Sequence, residues 1–256
     1  MRLYEATNNN QFKLTDCKKI ALTNGFKQKV NDALKIIEYF LTLSNNPAVS
    51  FGGGKDGTAV LILAQMVKPD INVICADPPN PLPDRQKHID NCIHSITPNI
   101  IRISYNWGVE AVLKQLKIYP DGLKMKRLSC YQRKNNIDGI IWGCRNSESK
   151  SRQINFNKNG FVYQVSDGTY RCQPIANWNA EEALALALVT GYPINPVYEK
   201  MDGIYNLNNL HDGTWWPHGS DDTKQFWIKK YYPDFYNDYL RAIPVAGKKK
   251  FLNCRW

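Results

Sequence analysis

Ser50-Phe51-Gly52-Gly53-Gly54-Lys55-Asp56-Gly57-Thr58 is the segment around which the rest of this chain can be ordered. A short apolar run, Pro47-Ala48-Val49, precedes it, and an apolar stretch from Ala59 to Val67 follows. Strand, glycine turn and helix start, in that order, build an anion site. Glycines let the backbone approach a phosphate closely, and N–H groups at the start of a helix point at it. Lys55 adds a mobile positive charge. The chain therefore reads first as one that handles a nucleotide. The competing reading is a tight strand-to-helix turn with a solvated lysine. The spacing from glycine to lysine excludes a Walker A loop.

Outward from the loop, short apolar runs alternate with helical patterns. Val30, Ala33, Leu34, Ile37, Phe40 and Leu41 have helical spacing within residues 27–43. Ala48 to Phe51 reads as the first strand and Thr58 to Val67 as the helix after it. Asn72 to Ala76 reads as a second, buried strand ending at Asp77, where Pro78, Pro79, Pro81 and Pro83 enforce a loop. Arg85 to Ser95 reads as a helix, Ile100 to Ser104 as a strand and Val109 to Ile118 as a helix. Asp138 to Trp142 reads as a fourth strand entering Gly143. This alternation predicts an α/β fold, a Rossmann-like parallel sheet flanked by helices. In such sheets ligands bind beyond the carboxyl ends of the strands. The glycine loop, Asp77 and Gly143 all fall at such ends, so the topology predicts that they converge.

The pattern changes after about residue 155. Asn155 to Gly168 is polar and reads as a hairpin or loop. Ala180 to Thr190 is a strong helix, with Asn179 as N-cap and Gly191 as stop. Asp221 to Leu240 is aromatic, basic and helical at least in part. Residues 1–155 are read as the nucleotide-binding core. Residues 156–256 are read as an appended, α-rich C-terminal region that closes over the site.

Composition narrows the class. At 256 residues the chain can bury one substantial core. It has no run of eighteen apolar residues, and the polar stretch Met1 to Gln11 lacks the apolar centre of a signal peptide. A soluble, cytoplasmic protein without a membrane partner is the expectation, and a homo-oligomer stays open. The net charge of +10 attracts polyanions, nucleotides or nucleic acid among them. That charge is spread out, with denser spots at Lys124-Met125-Lys126-Arg127, Lys229-Lys230 and Lys248-Lys249-Lys250. Each spot alone reads as a solvated face. The seven cysteines include no Cys-x-x-Cys pair, which argues against a zinc ribbon, and their odd number argues against a disulfide framework.

A second chemical segment is Gly143-Cys144-Arg145-Asn146-Ser147-Glu148-Ser149-Lys150-Ser151-Arg152. Arginine forks bind phosphate or sulfate oxygens in bidentate fashion. Glu148 can hold an arginine, accept from a sugar hydroxyl or help bind a metal. By composition alone the segment also reads as a charged surface loop.

Taken together, these segments resemble the phosphoadenosine phosphosulfate (PAPS) reductase family and the wider PP-loop ATP pyrophosphatases. Their loop is usually written Ser-Gly-Gly-Lys-Asp-Ser. Here Gly52 and Gly57 stand in the two serine positions, and Ser50 and Thr58 flank the loop as substitutes. The Gly-x-Arg-x-x-Glu-Ser-x-x-Arg pattern of Gly143, Arg145, Glu148, Ser149 and Arg152 is similar to the family's downstream anion motif. Gln173-Pro174-Ile175 with Trp178, and Pro193-Ile194-Asn195-Pro196-Val197-Tyr198, look like its later motifs. The resemblance runs from about residue 27 to 200. It implies a sheet of the adenine nucleotide α-hydrolase type.

The resemblance also implies a ligand, ATP or PAPS, and a distribution of roles. Lys55 and the loop residues Ser50, Gly52, Gly53, Gly54, Gly57 and Thr58 would hold phosphates. Arg145 and Arg152 would clamp an anionic group, supported by Gly143, Glu148 and Ser149. Asp56, helped by Asp77, would position Mg²⁺ if the ligand is ATP. The implied reaction cleaves the α–β phosphate bond and transfers AMP to an acceptor, through positioning and charge stabilisation. Sulfur chemistry or nucleic-acid modification would supply that acceptor. Two other readings stand beside it: a thiol-dependent sulfonucleotide reductase, and a nucleotide-sensing or nucleic-acid-binding regulator without turnover.

Departures from the family pattern bear on these readings. Thiol-using members carry Glu-Cys-Gly-x-His near the C-terminus, whereas this chain has Asn253-Cys254-Arg255-Trp256. Basic neighbours would lower the pKa of Cys254, yet the surrounding motif is absent. Iron–sulfur members need a Cys-Cys pair and a Cys-x-x-Cys. Here Ser129-Cys130 and Gly213-Thr214-Trp215-Trp216-Pro217 occupy the matching stretches, so no iron–sulfur cluster is expected. His211, Asp212, His218, Asp221 and Asp222 match no familiar ligand spacing and read as a polar loop with aromatic anchors.

Overall fold

The computed structural model describes residues 14–77, 82–95, 100–103, 123–200 and 222–242. Four parallel strands form the centre of the sheet: β1 (Pro47–Ser50), β2 (Asn72–Ala76), β3 (Ile100–Ile103) and β4 (Gly139–Trp142). Two more, β5 (Val162–Gln164) and β6 (Tyr170–Cys172), extend it beyond β4, giving the order β3-β2-β1-β4-β6-β5. The Rossmann-like α/β class expected from the sequence is the class observed.

The sheet is mixed rather than wholly parallel. β6 runs parallel to β4, with Ile141 opposite Cys172, and β5 runs antiparallel to β6. The reversal comes from the turn between them. Asp167 accepts hydrogen bonds from Thr169 N at 3.0 Å and Thr169 Oγ1 at 2.6 Å, and Gly168 sits at φ +82°. That backbone conformation favours glycine, and the Asp side chain mimics a backbone turn.

The helices are α1 (Leu14–Ala21), α2 (Asn24–Leu43), α3 (Lys55–Val67), α4 (Pro83–Ser95), α5 (Leu123–Lys134), α6 (Lys150–Asn159), α7 (Ala180–Thr190), α8 (Asp222–Tyr231) and α9 (Pro233–Ala242). α2 is capped by Thr23, whose hydroxyl accepts from Phe26 N at 3.2 Å. α7 carries the expected Asn179 cap, and Gly191 closes it in the left-handed region. α3 begins three residues earlier than the pattern from Thr58 suggested, which takes Lys55 and Asp56 into its first turn. Pro233 splits the anticipated helix over Asp221 to Leu240 into α8 and α9, because proline suits a first helical turn but not an interior. The helix expected over Val109 to Ile118 lies outside the described residues.

Alternation along the strands builds two apolar layers. Val49, Val73, Cys75 and Ile141 face the side covered by α3, where Ala59 to Ala64 are buried. α3 in turn packs against α2 and α7, and α1 packs against α7. Ala48, Ile74 and Ile140 face the other side, against Leu128 of α5 and Ile137. Each fully buried Leu or Ile contributes about 1.5–3 kcal/mol, so several such contacts fix the start of α3 relative to the sheet. No described helix is long and apolar enough to cross a membrane.

Candidate nucleotide site

Ser50, half-buried at the tip of β1, stands in register between Ile74 of β2 and Trp142 of β4. The chain then leaves the sheet, with Phe51 N still donating to Ile74 O at 2.9 Å. Gly53 turns at φ +82°, and Gly54 is the N-cap of α3. Beyond it, Asp56 N and Gly57 N have no acceptor within the helix, since the first turn of an α-helix never provides one. A Cβ on Gly57 would stand 3.2 Å from Gly52 N. The two glycines in the serine positions of the related motif therefore face each other across the loop. Thr58 is buried, and its N–H donates to Gly54 O at 2.9 Å.

The tip of β4 meets this loop directly. A Cβ on Gly143 would lie 2.5 Å from Asp56 C and O and 2.8 Å from Gly57 N. Only glycine permits that approach. Two residues on, Arg145 is fully buried and its Nε donates to Asp56 Oδ1 at 2.6 Å. Lys55 Nζ pairs with the other oxygen, Asp56 Oδ2, at 3.1 Å, on a side chain only 1% exposed. Arg145 Nη1 also donates to Ser147 Oγ at 3.0 Å. Lys55, Asp56 and Arg145 thus form one buried cluster across two strand tips.

Glu148 and Arg152 join it at one remove. Glu148 Oε2 accepts from Arg145 N at 2.8 Å and also pairs with Arg152 Nη1. Ser149 is the N-cap of α6, accepting from Arg152 N at 3.3 Å. The sequence motif is therefore a turn that caps its own helix, not a loose charged loop. Arg152 is partly exposed and is linked to the Lys55–Asp56–Arg145 cluster through Glu148.

Asp77 sits at the tip of β2 in a different environment. Arg85 Nη1 donates to Oδ1 at 2.8 Å and Arg102 Nε to Oδ2 at 2.7 Å. Burial pushes the Asp77 carboxyl up, but the hydrogen bonds from Arg85 and Arg102 outweigh it and hold the group below the usual carboxylate range. All four carboxylate oxygens of Asp56 and Asp77 accept from cationic side chains. These two residues do not present a ready-made magnesium ligand set.

The sequence named Asn195 and Tyr198 as part of a motif without giving them a role. The structure places both on the glycine loop. Lys55 N donates to Tyr198 OH at 2.8 Å, and Asn195 Nδ2 donates to Gly53 O at 3.4 Å. The first N–H of α3 is therefore capped by a residue far along the chain. Just beyond, Lys200 pairs with Asp84 of α4, which also accepts from Tyr232 OH at 2.7 Å. Trp227 Nε1 donates to Lys200 O at 2.8 Å, so α8 and α9 are fastened to α4 and to the segment that carries Tyr198.

Other sequence candidates fall elsewhere. Cys254, His211, Asp212, His218 and Asp221 lie outside the described residues. Among the described residues no group of three or more His, Cys, Asp or Glu could hold a metal ion. Cys144 lies between Gly143 and Arg145, where burial raises its pKa against the opposing charge of Arg152. It stays a thiol at neutral pH.

The sequence model of the phosphoadenosine phosphosulfate reductase domain matches residues 46–227. No curated protein matches the chain. Among solved structures, phosphoadenylyl-sulfate (PAPS) reductase from Candida auris is 12% identical with a TM-score of 0.50, over 74% of this chain and 91% of that one. FMN adenylyltransferase from Candida glabrata is 16% identical with a TM-score of 0.49, over 72% of this chain and 64% of that one. The U34-tRNA thiolase NcsA from Methanococcus maripaludis is 14% identical with a TM-score of 0.43, over 90% and 81%. The reductase has the same fold. With strand order, glycine loop and the Arg145 turn in place, and with the domain match spanning most of its length, the chain belongs to the phosphoadenosine phosphosulfate reductase domain family.

Proposed function

We propose that the chain is a PP-loop enzyme that binds ATP or a related adenylyl nucleotide and cleaves its α–β phosphate bond to adenylate an acceptor. The observation that carries this reading is the Lys55–Asp56–Arg145 cluster at the start of α3. Gly53, Gly54 and Gly57 let phosphates approach the backbone, and the helix N-terminus favours negative charge. Arg145 and Lys55 stabilise charge on the phosphates as it develops, and Arg152 clamps a further anionic group. In the reaction an acceptor atom bonds to the α-phosphorus while the α–β bridging bond breaks. The bonding pair leaves with pyrophosphate. Magnesium would arrive with the nucleotide's phosphates. The charge of +10 supports a nucleic acid among the acceptors. Residues 156–256 would close over the core of 1–155, a division supported by the contacts of Asn195 and Tyr198 with the loop.

The family match itself favours a second reading, reduction of a sulfonucleotide by a thiol. Parallel assays separate the two. Pyrophosphate release from ATP supports adenylyl transfer. Sulfite release from PAPS that is lost in Cys254→Ser supports the reductase. Tight nucleotide binding with neither product indicates a sensor.

A further inference from the structure

A cavity of about 240 Å³ lies beside the Arg145 turn, on the face of the sheet opposite α3. Its walls include Trp142, Cys144, Arg152, Asn155, Tyr163 and Arg171. The pairing of β4, β6 and β5 places it there: Ile140 is opposite Arg171, and Arg171 is opposite Tyr163. Lys55, Asp56 and Arg145 are not among its lining residues, so it adjoins the glycine-loop site and shares Arg152 with it. Cys144 and Arg152 belong to the turn that joins the two.

Trp142 and Arg171 are the lining residues that decide its chemistry. The indole Nε1 of Trp142 is buried with no hydrogen-bond acceptor among the described residues. The Arg171 guanidinium lies 5.8 Å from the Trp142 ring centroid. Its Nη1 donates to Thr169 Oγ1 at 2.8 Å and to Tyr170 O at 3.1 Å, both neutral acceptors. Among the described residues no carboxylate forms an ion pair with Arg171, which is partly buried. Burial lowers its pKa, and the nearby Asp167 only partly offsets this. A guanidinium that is partly buried among neutral acceptors is stabilised by a negative group placed beside it. An oxyanion supplies that group, because it brings negative charge and several acceptor lone pairs.

We propose that this cavity is the acceptor pocket and that it binds a small aromatic oxyanion, a carboxylate or a phosphate monoester, by Arg171. The proposal rests on the nucleotide reading of the neighbouring site. The apolar faces of Trp142, Tyr163 and Val165 suit a flat apolar body. The volume lies below the roughly 300–1,000 Å³ of pockets that enclose drug-sized ligands. It therefore takes a small molecule or one group of a larger one.

Calorimetry and saturation-transfer NMR on the full chain test this, with benzoate and phenyl phosphate as probes and the ATP analogue AMPCPP alongside. At least one probe should bind the wild-type protein, and the stronger probe identifies the headgroup. Arg171→Gln should weaken it about tenfold or more, as loss of a charge-assisted contact predicts. Val165→Trp, which fills the cavity from the hairpin, should abolish it while keeping Arg171. AMPCPP affinity should stay within about twofold in both variants, as expected for residues outside the glycine-loop site. If neither probe binds the wild type, or if Arg171→Gln binds as tightly, the pocket assignment is overturned. Failure of AMPCPP to bind the wild type would instead remove the nucleotide reading, whatever the probes do.

Discussion

Arg145 and Asp56, separated by 89 residues in sequence, are joined by a 2.6 Å hydrogen bond between Nε and Oδ1. The bond ties the tip of β4 to the first turn of α3 and aligns two motifs that would otherwise be independent. Asp56 also holds Lys55, so one carboxylate positions two cations. Asp56→Asn keeps the shape and removes the charge. It should destabilise the fold by about 3 kcal/mol, the usual cost of breaking a buried ion pair, and lower nucleotide affinity as well. Chemical denaturation and AMPCPP titration of the same sample check both effects.

Gly143 and Gly57 make a contrasting pair. Gly143→Ala would drive a Cβ to 2.5 Å from the backbone of Asp56. The neighbour is main chain and cannot step aside. The variant should lose several kcal/mol, roughly 3 or more, with loss of nucleotide binding. Gly57→Ala meets its first neighbour, Gly52 N, at 3.2 Å and should fold with a loss of about 1 kcal/mol or less. Thermal melts that rank the two variants the other way would contradict the observed loop geometry.

Tyr198→Phe removes one oxygen. It leaves Lys55 N, a buried donor, without the hydroxyl it uses now. An orphaned buried donor costs about 1–3 kcal/mol. The variant should shift the denaturation midpoint by that amount with an unchanged slope. AMPCPP affinity should fall too, because the same contact seats the glycine loop. A silent Tyr198→Phe would show that the contact has no part in shaping the site.

His88 gives a pH signature. It is buried on α4, 3.6 Å from Cys92 Sγ, and burial followed by the charge of Arg85 pushes its pKa down from 6.5 to about 4. Between those values the unfolded chain binds the proton and the folded chain does not. Stability should therefore fall as pH drops from about 6.5 towards 4, by an amount on the order of 3 kcal/mol. The Asp77 carboxyl, held below its ordinary range, acts only at still lower pH. Denaturation at pH about 7 and about 4.5 should show a marked loss in wild type and a smaller one in His88→Gln.

Sequence reading recovered what short-range pattern encodes. Strands β1, β2 and β4 are dense apolar runs, and the loop between β1 and α3 is marked by its glycines and lysine. Arg145, Glu148 and Ser149 stood out because a local turn needs them close together. Asp77 was found as a strand-end carboxylate, but its partners depend on register. Arg102 can reach it only because β3 lies beside β2 with Cys75 opposite Arg102. Tyr198 lies 143 residues from the amide it caps, and nothing near it in sequence signals that contact. The Trp142–Arg171 cavity was equally hidden. It exists because β6 pairs with β4; the stretch from Asn155 to Gly168 reads as a hairpin or loop in sequence, but its place beside β4 is a matter of register that no local pattern encodes.

Calorimetric titration of the full chain with AMPCPP and with PAPS, wild type beside Lys55→Gln, addresses the nucleotide site most directly. Saturable binding of at least one of these nucleotides, weakened about tenfold or more by the loss of the lysine charge, is the expected result. No binding of either, or equal binding by wild type and variant, would show that the glycine loop at the start of α3 does not hold an adenylyl phosphate.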